Sequence, residues 1–160
     1  MKWYTGRGDG GRADLIDRQN VPKNAPVFEL LGALDECGAC LGVAALEIAD
    51  ADVLRDIAML QELLVLLGGM AAGGQRQSLA GYLAGIEARI DCCQQACGDF
   101  EGFCNAYACR GAAYLNLART VVRRAERAAV QADLFSEGVA LLNRASDLLY
   151  GLTRYVQEGI

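Results

Sequence analysis

Four arginines and one glutamate stand within the nine residues RTVVRRAER, Arg119 to Arg127, of a chain whose formal charge is −5. A helix turns about 100° per residue, so Arg119, Arg123 and Arg127 recur at i, i+4 and i+8 and share a face. Glu126 lies beside them and Asn116 one turn earlier, while Val121, Val122, Ala125 and Ala129 fall opposite. The stretch is therefore an amphipathic helix with a guanidinium stripe. A salt-bridged solvent face is the competing reading, and the stretch alone favours it, since four arginines to one local carboxylate is no more than a suggestive imbalance.

Two other stretches hold groups of the complementary kind. The opening YTGRGDGGRAD carries Gly6, Gly8, Gly10 and Gly11, whose backbone N–H groups can turn around an anion, with Thr5 and Asp9 able to hold phosphate and a hydrated magnesium ion. It is not a Walker A loop, since the GxxxxGK[ST] order and a preceding strand are both missing; a flexible arm fits it equally. Late in the chain, LLNRASDLLYGLTRY places Asn143 and Asp147 four residues apart among core leucines. Backbone donors, guanidinium groups and an amide together suit a nucleotide triphosphate.

The chain has no histidine. That removes the commonest general base, the commonest zinc ligand and every Ser-His or Cys-His nucleophile pair. An acidic pI near 4.7 disfavours general attraction to nucleic acid or anionic lipid, so the arginine stripe must serve something local. Seven cysteines, an odd number, read as reduced thiols. The opening MKWYTGRGDGG shows no secretory or transit pattern and the longest apolar tract, around Leu63 to Ala72, is too short to span a bilayer; the expectation is a cytoplasmic protein with no membrane or nucleic-acid partner.

The positioning elements follow from periodicity. The 160 residues, with a hydrophobic fraction of 53%, predict a single domain: a glycine-rich arm over 1–25 and a helical bundle over 26–160. Helix one starts at Pro26 with Phe28, Leu31, Leu34, Cys37 and Leu41 in register. Helix two starts at capping aspartates near Asp50 and stops at Gly73-Gly74. Helix three covers Ser78 to Cys97, helix four runs from about Tyr107 to near Gln131, and helix five from about Leu134 to Gln157. Short connections and the absence of hairpin signals predict an all-α, five-helix bundle.

With these stretches in order, the chain resembles the PduO-type ATP:cob(I)alamin adenosyltransferases. The resemblance rests on YTGRGDGG, LLGALDECGACLG, AAYLNLARTVVRRAER and LLNRASDLLY, in sequence and at compatible spacing over nearly the whole chain. It implies a homotrimer with ATP bound between the arm of one subunit and the arginine helix of its neighbour. Thr5, Gly6, Arg7, Gly8, Asp9 and Gly11 match the arm that wraps the triphosphate, and Lys23 matches a nucleotide-contacting lysine. Arg123, Arg124, Glu126, Arg127 and Asn143 match ATP-contacting helical residues. Asp35 matches an aspartate that pairs with the arginine at Arg119 across a subunit boundary, close to the corrinoid, and Phe103 matches an aromatic that displaces the lower axial cobalt ligand. The implied reaction joins the 5′-deoxyadenosyl group of ATP to the cobalt of a reduced cob(I)alamin or cobinamide-type corrinoid and expels triphosphate, with Mg2+ as companion and a reductase or a cobalamin-dependent enzyme as possible partner. A nucleophile that belongs to the corrinoid leaves the protein to supply position and electrostatics, for which histidine is not required.

The sequence departs from the family pattern near this chemistry. Gly10 stands where a lysine is usual, Ala13 where a Ser or Thr is usual, and Val27 where an arginine is usual. FCNAYA replaces the FxLPGG segment, and Asn116 replaces a histidine. Arg7 or Arg12 are the residues expected to compensate in the arm. These changes support, as the alternative, a non-catalytic trimeric sensor or carrier of ATP or corrinoid. Cys37 and Cys40, though spaced as CxxC, have no second pair at zinc spacing and are expected to be structural, as are Cys92, Cys93 and Cys97; no protein-bound metal site is predicted.

Overall fold

A computed structural model describes residues 2–99, 102 and 109–159. Phe103 and Tyr107 lie outside the described residues. Five helices follow one another: α1 (Pro26–Ala45), α2 (Ala51–Ala71), α3 (Ala80–Cys97), α4 (Arg110–Gln131) and α5 (Ser136–Glu158). Ahead of them stand two short strands, β1 (Arg12–Ala13) and β2 (Val21–Pro22), paired antiparallel with Arg12 opposite Pro22. This ladder carries no alternating apolar run, so nothing in the sequence pattern announces it.

Local chemistry sets the helix ends. Pro26 begins α1, where its missing N–H costs nothing. Asp50 caps α2, its Oδ1 accepting from the N–H groups of Asp52 at 2.8 Å and Val53 at 2.9 Å. At the start of α4 the Cys109 sulfur accepts from the Ala112 N–H at 3.5 Å. That helix closes on Asp133, a non-glycine residue at φ 52°, with Leu134 N–H bonded to Ala129 O at 2.9 Å.

In the bundle, α1 packs on α4 and α2, and α5 packs on α4 and α3. The buried face of α1 runs through Val27, Leu30, Ala33, Leu34, Cys37, Leu41 and Ala44. Phe28 and Leu31, expected on the core face, are only half-buried. A helix between two neighbours carries apolar residues on two sides, which blurs a single-face periodicity. On α4, by contrast, Ala118, Val121, Val122, Ala125 and Ala129 form one buried side, and the small residues let α1 and α5 approach closely. The arginine face is thereby turned out of the core. From α2, the buried Asp56 receives Nε of Arg89 on α3 at 2.8 Å, an ion pair that joins the outer two helices.

Candidate functional site

The outward face of α4 divides its arginines. Arg123 and Arg127 are exposed and Arg119 half-buried, on the face that adjoins α5 and α3. Arg119 Nε donates to Asn116 Oδ1 at 2.9 Å, so Asn116 orients the first guanidinium of the stripe. Arg127 Nη1 donates to the Arg123 carbonyl at 3.0 Å. Arg124 lies toward α1 instead, where it pairs with Glu36 and, at 3.5 Å, with Glu29. Arg124 thus joins α4 to two carboxylates of α1. Arg124, at i+5 from Arg119, stands more than a quarter-turn off the face that Arg119, Arg123 and Arg127 share, as the helical spacing predicts.

Glu126 and Asn143 meet across α4 and α5: Asn143 Nδ2 donates to Glu126 Oε1 at 3.0 Å. The other half of the Asn143 amide accepts from Arg144 Nη1 at 3.1 Å. Arg144 also reaches Asp147 at 3.2 Å and Glu87 on α3 at 3.1 Å. The sequence reading passed over Arg144. Its signal was available, since it stands beside Asn143 and three residues before Asp147 on a helix whose neighbours supply acids.

Between α3, α4 and α5 lies a cavity of about 400 Å³. Arg119 and Arg123 line it from α4, Asp147 and Tyr150 from α5, and Cys93 and Cys97 from α3. The residues at its mouth bind the start of the loop that follows α3. Arg154 donates to the carbonyls of Cys97 at 2.5 Å and Asp99 at 2.9 Å, and the Tyr150 hydroxyl donates to the Gly102 carbonyl at 2.9 Å. Tyr150 and Arg154 follow Asn143 by seven and eleven residues, the same face of α5. Their types alone did not single them out.

The N-terminal segment forms a second cluster. Turns bond Asp9 N–H to Gly6 O and Gly11 N–H to Gly8 O, each at 3.3 Å, and Arg7 N–H reaches Thr5 Oγ1 at 3.4 Å. Gly6 and Gly11 both take positive φ, at 70° and 73°. Lys23 folds back over this turn: a Cβ on Gly8 would stand 2.9 Å from its Nζ. The segment thus brings Lys23 to the glycine-rich turn within one chain. Thr5, Arg7, Gly8 and Arg12 line a shallow cavity of about 350 Å³ there. Arg12 is occupied with Asn20, donating to its carbonyl at 2.9 Å and to its side chain at 2.8 Å. Of the two arginines expected to compensate for Gly10 and Ala13, Arg12 braces the segment and Arg7 faces the cavity.

Asp35 is exposed on α1 and lines a groove against α2 with Leu31, Gly38, Gln61 and Val65, apart from the cavity that Arg119 lines. Of the cysteines expected to be structural, Cys37 and Cys93 are buried, Cys40 and Cys97 half-buried and Cys92 exposed. Cys37 is buried, donates to the Ala118 carbonyl at 3.7 Å, and has its thiol pushed up to about 12 by burial. Burial likewise pushes Cys93 up to about 11. Among the described residues no group of three or more acids, cysteines or histidines could hold a metal ion.

A five-helix bundle with three arginines, Arg119, Arg123 and Arg154, lining a cavity between three of its helices defines the class of architecture. The chain belongs to the cobalamin adenosyltransferase family, whose family model matches residues 3–156. It is 31% identical to the corrinoid adenosyltransferase PduO of Salmonella typhimurium over 96% of this chain, and spans 49%, about half, of that relative's length. A corrinoid adenosyltransferase of Bacillus subtilis is 27% identical over 98% of this chain and 86% of its own. Among solved structures, a variant PduO-type ATP:corrinoid adenosyltransferase from Lactobacillus reuteri complexed with cobalamin and ATP superposes with a TM-score of 0.87. That match has 26% identity and covers 98% of this chain and 94% of the other. No helix among the described residues is long and apolar enough to cross a membrane.

Proposed function

We propose that this protein transfers the 5′-deoxyadenosyl group of ATP to the cobalt of a reduced corrinoid, cob(I)alamin or a cobinamide-type precursor, and releases triphosphate. The exposed Arg123 at the cavity between α3, α4 and α5, with the exposed Arg127 one turn on, carries the reading, because a departing triphosphate requires fixed positive charge where its own charge develops. In the reaction the cobalt(I) electron pair forms the bond to C5′, the C5′–O bond breaks, and its electron pair leaves on the triphosphate. Arg123 and Arg127, with Glu126 held by Asn143, bind the nucleotide, and Arg124 stands at the α1 edge of that set. Arg7 and Lys23, in the turn of Thr5, Gly6, Gly8, Asp9 and Gly11, grip the triphosphate from the N-terminal side. Thr5 and Asp9, a hydroxyl and a carboxylate, are the oxygen donors that would hold a hydrated Mg2+, which would supply charge neutralisation to the departing triphosphate.

The assembly we propose is a homotrimer. Asp35 and Arg119 line separate cavities of one chain, so a pairing between them calls for a second copy. That pairing would bring the N-terminal segment of one subunit to the arginine helix of the next, with Phe103 as the aromatic on the corrinoid side. A reductase that delivers cobalt(I), or a cobalamin-dependent enzyme that receives the product, is the proposed partner. The proposed compartment is the cytoplasm, whose reducing poise suits the six free thiols of the described residues.

The test is anaerobic incubation with ATP, magnesium and chemically reduced cob(I)alamin. Growth of a light-sensitive alkylcobalt spectrum with one triphosphate released per cobalt is expected; ATP binding without that spectrum overturns the proposal.

A further inference from the structure

The C-terminal end of α2 is shaped to receive another segment. Gly73 N–H bonds to Met70 O at 3.1 Å and Gly74 N–H to Gly69 O at 2.9 Å, with Gly73 at φ 92°. These two bonds are the usual closure of a helix on a left-handed glycine. A helix end asks nothing more of Gly73 than that backbone. Yet a Cβ on Gly73 would stand 2.1 Å from Cγ and 2.2 Å from Oδ1 of Asp17, deep inside contact distance. The space a side chain would take is filled from the N-terminal segment. Beside it, Ile16 N–H donates to the Ala72 carbonyl at 2.9 Å, satisfying one of the helix's terminal acceptors.

The seated loop is tied to the glycine-rich turn. Leu15 N–H closes it onto Arg18 O at 2.7 Å, and the β1–β2 pairing lies at its base. From there Lys23 N–H bonds to Gly11 O at 2.9 Å. The chain is thus fixed in sequence from the end of α2, through the ladder, to the turn that holds Arg7 and the Lys23 ammonium.

We infer that Gly73 and Asp17 form a seat that fixes the N-terminal segment, making Gly73 a positioning residue for nucleotide binding. This rests on the nucleotide reading above. A segment that leaves its seat lowers the fraction of molecules competent to bind, and the apparent affinity falls by the same fraction.

The variant Gly73→Asn keeps a residue that tolerates positive φ while adding the side chain that strikes Asp17. Tryptic cleavage after Arg18, measured without any ligand, and the KM for ATP are the two readouts. Cleavage rises ~tenfold and KM rises ~tenfold, with kcat within about twofold of the parent. Adding Asp17→Gly to the same chain returns both values toward the parent. Ile16→Pro leaves α2 intact, removes the donor to Ala72, and gives the same rise in cleavage.

Unchanged cleavage in Ile16→Pro, or in a Gly73→Asn protein with the parent's circular dichroism, overturns the seat. Failure of Asp17→Gly to recover either value in a folded double variant also overturns it and leaves Gly73 as a helix end only. Because cleavage is read without nucleotide, the seat fails there independently of the ATP reading. If cleavage responds while no variant or parent binds ATP, the seat stands as a docking contact and the nucleotide reading falls.

Discussion

The side-chain amide of Asn143 donates to Glu126 Oε1 at 3.0 Å, tying α5 to the arginine-bearing face of α4. Its oxygen accepts from Arg144 at 3.1 Å, so one amide orients a carboxylate and a guanidinium. Asn143→Ala releases both. The expected result is a loss of ATP affinity of roughly tenfold, about 1.4 kcal/mol, by titration calorimetry. The accompanying loss of stability is about 1 kcal/mol, the net worth of a hydrogen bond. An unchanged ATP isotherm removes this pair from the site.

Arg123 and Arg124 are adjacent in sequence and differ in what they touch. Arg123→Ala is expected to weaken ATP binding by about 1.5–3 kcal/mol, the range for hydrogen bonds to charged groups. Arg124→Ala breaks half-exposed pairs with Glu29 and Glu36 and is expected to cost stability of at most about 1 kcal/mol. Its ATP affinity should stay within about threefold of the parent, less than 1 kcal/mol. A larger loss for Arg124→Ala places that guanidinium on the nucleotide.

The Asp56–Arg89 pair gives a pH-dependent prediction. Burial raises the Asp56 carboxyl above its ordinary 3.8 even though Arg89 pulls it down. Arg89→Met removes the pull and leaves a buried charge, at a cost of about 3 kcal/mol. Asp56→Leu in the same chain recovers most of it, since an apolar pair of similar volume has no charge to bury. The folded single variant then holds the Asp56 proton more tightly than the unfolded chain does. Its stability therefore falls as pH rises from the unfolded pKa through the folded one, and returns on acidification across that window. Urea melts across mildly acidic pH check this; a deficit that stays constant with pH contradicts it.

Thiol reactivity follows burial. Cys92 and Cys109 are exposed, whereas Cys37 and Cys93 are buried with thiols pushed up to about 12 and about 11. Iodoacetamide at neutral pH, followed by peptide mass mapping, should modify Cys92 and Cys109 in the native protein and reach Cys37 and Cys93 only after unfolding. Native labelling of Cys37 or Cys93 contradicts the structural role given to them.

The first two helices were legible because they carry their own punctuation. Pro26, Asp50 and Gly73-Gly74 mark ends by local chemistry, and the alanine and valine face of α4 fixes which side of the arginine stripe is turned out. The core face of α1 was less legible: Phe28 and Leu31 are only half-buried, with Leu31 turned toward Gly68 of α2. In the site, helical phase put Arg119, Arg123 and Arg127 on one face, but the partners of Arg124 were hidden: it faces acids on α1 that lie 88 and 95 positions away in the chain. The seat of Asp17 against Gly73 was invisible for the same reason, since nothing in GGQ or LIDR records that one fills the space left by the other.

The bond between cobalt and C5′ can be read with a labelled substrate. ATP carrying carbon-13 at the 5′ position is incubated anaerobically with magnesium, reduced cob(I)alamin and the protein, and the carbon resonance is followed in the dark. The account predicts that the label moves from the phosphate ester to a carbon bonded to cobalt, in step with the release of intact triphosphate, and that Arg123→Ala slows the transfer. A label that stays in ATP, or appears in ADP while the corrinoid is unchanged, contradicts it.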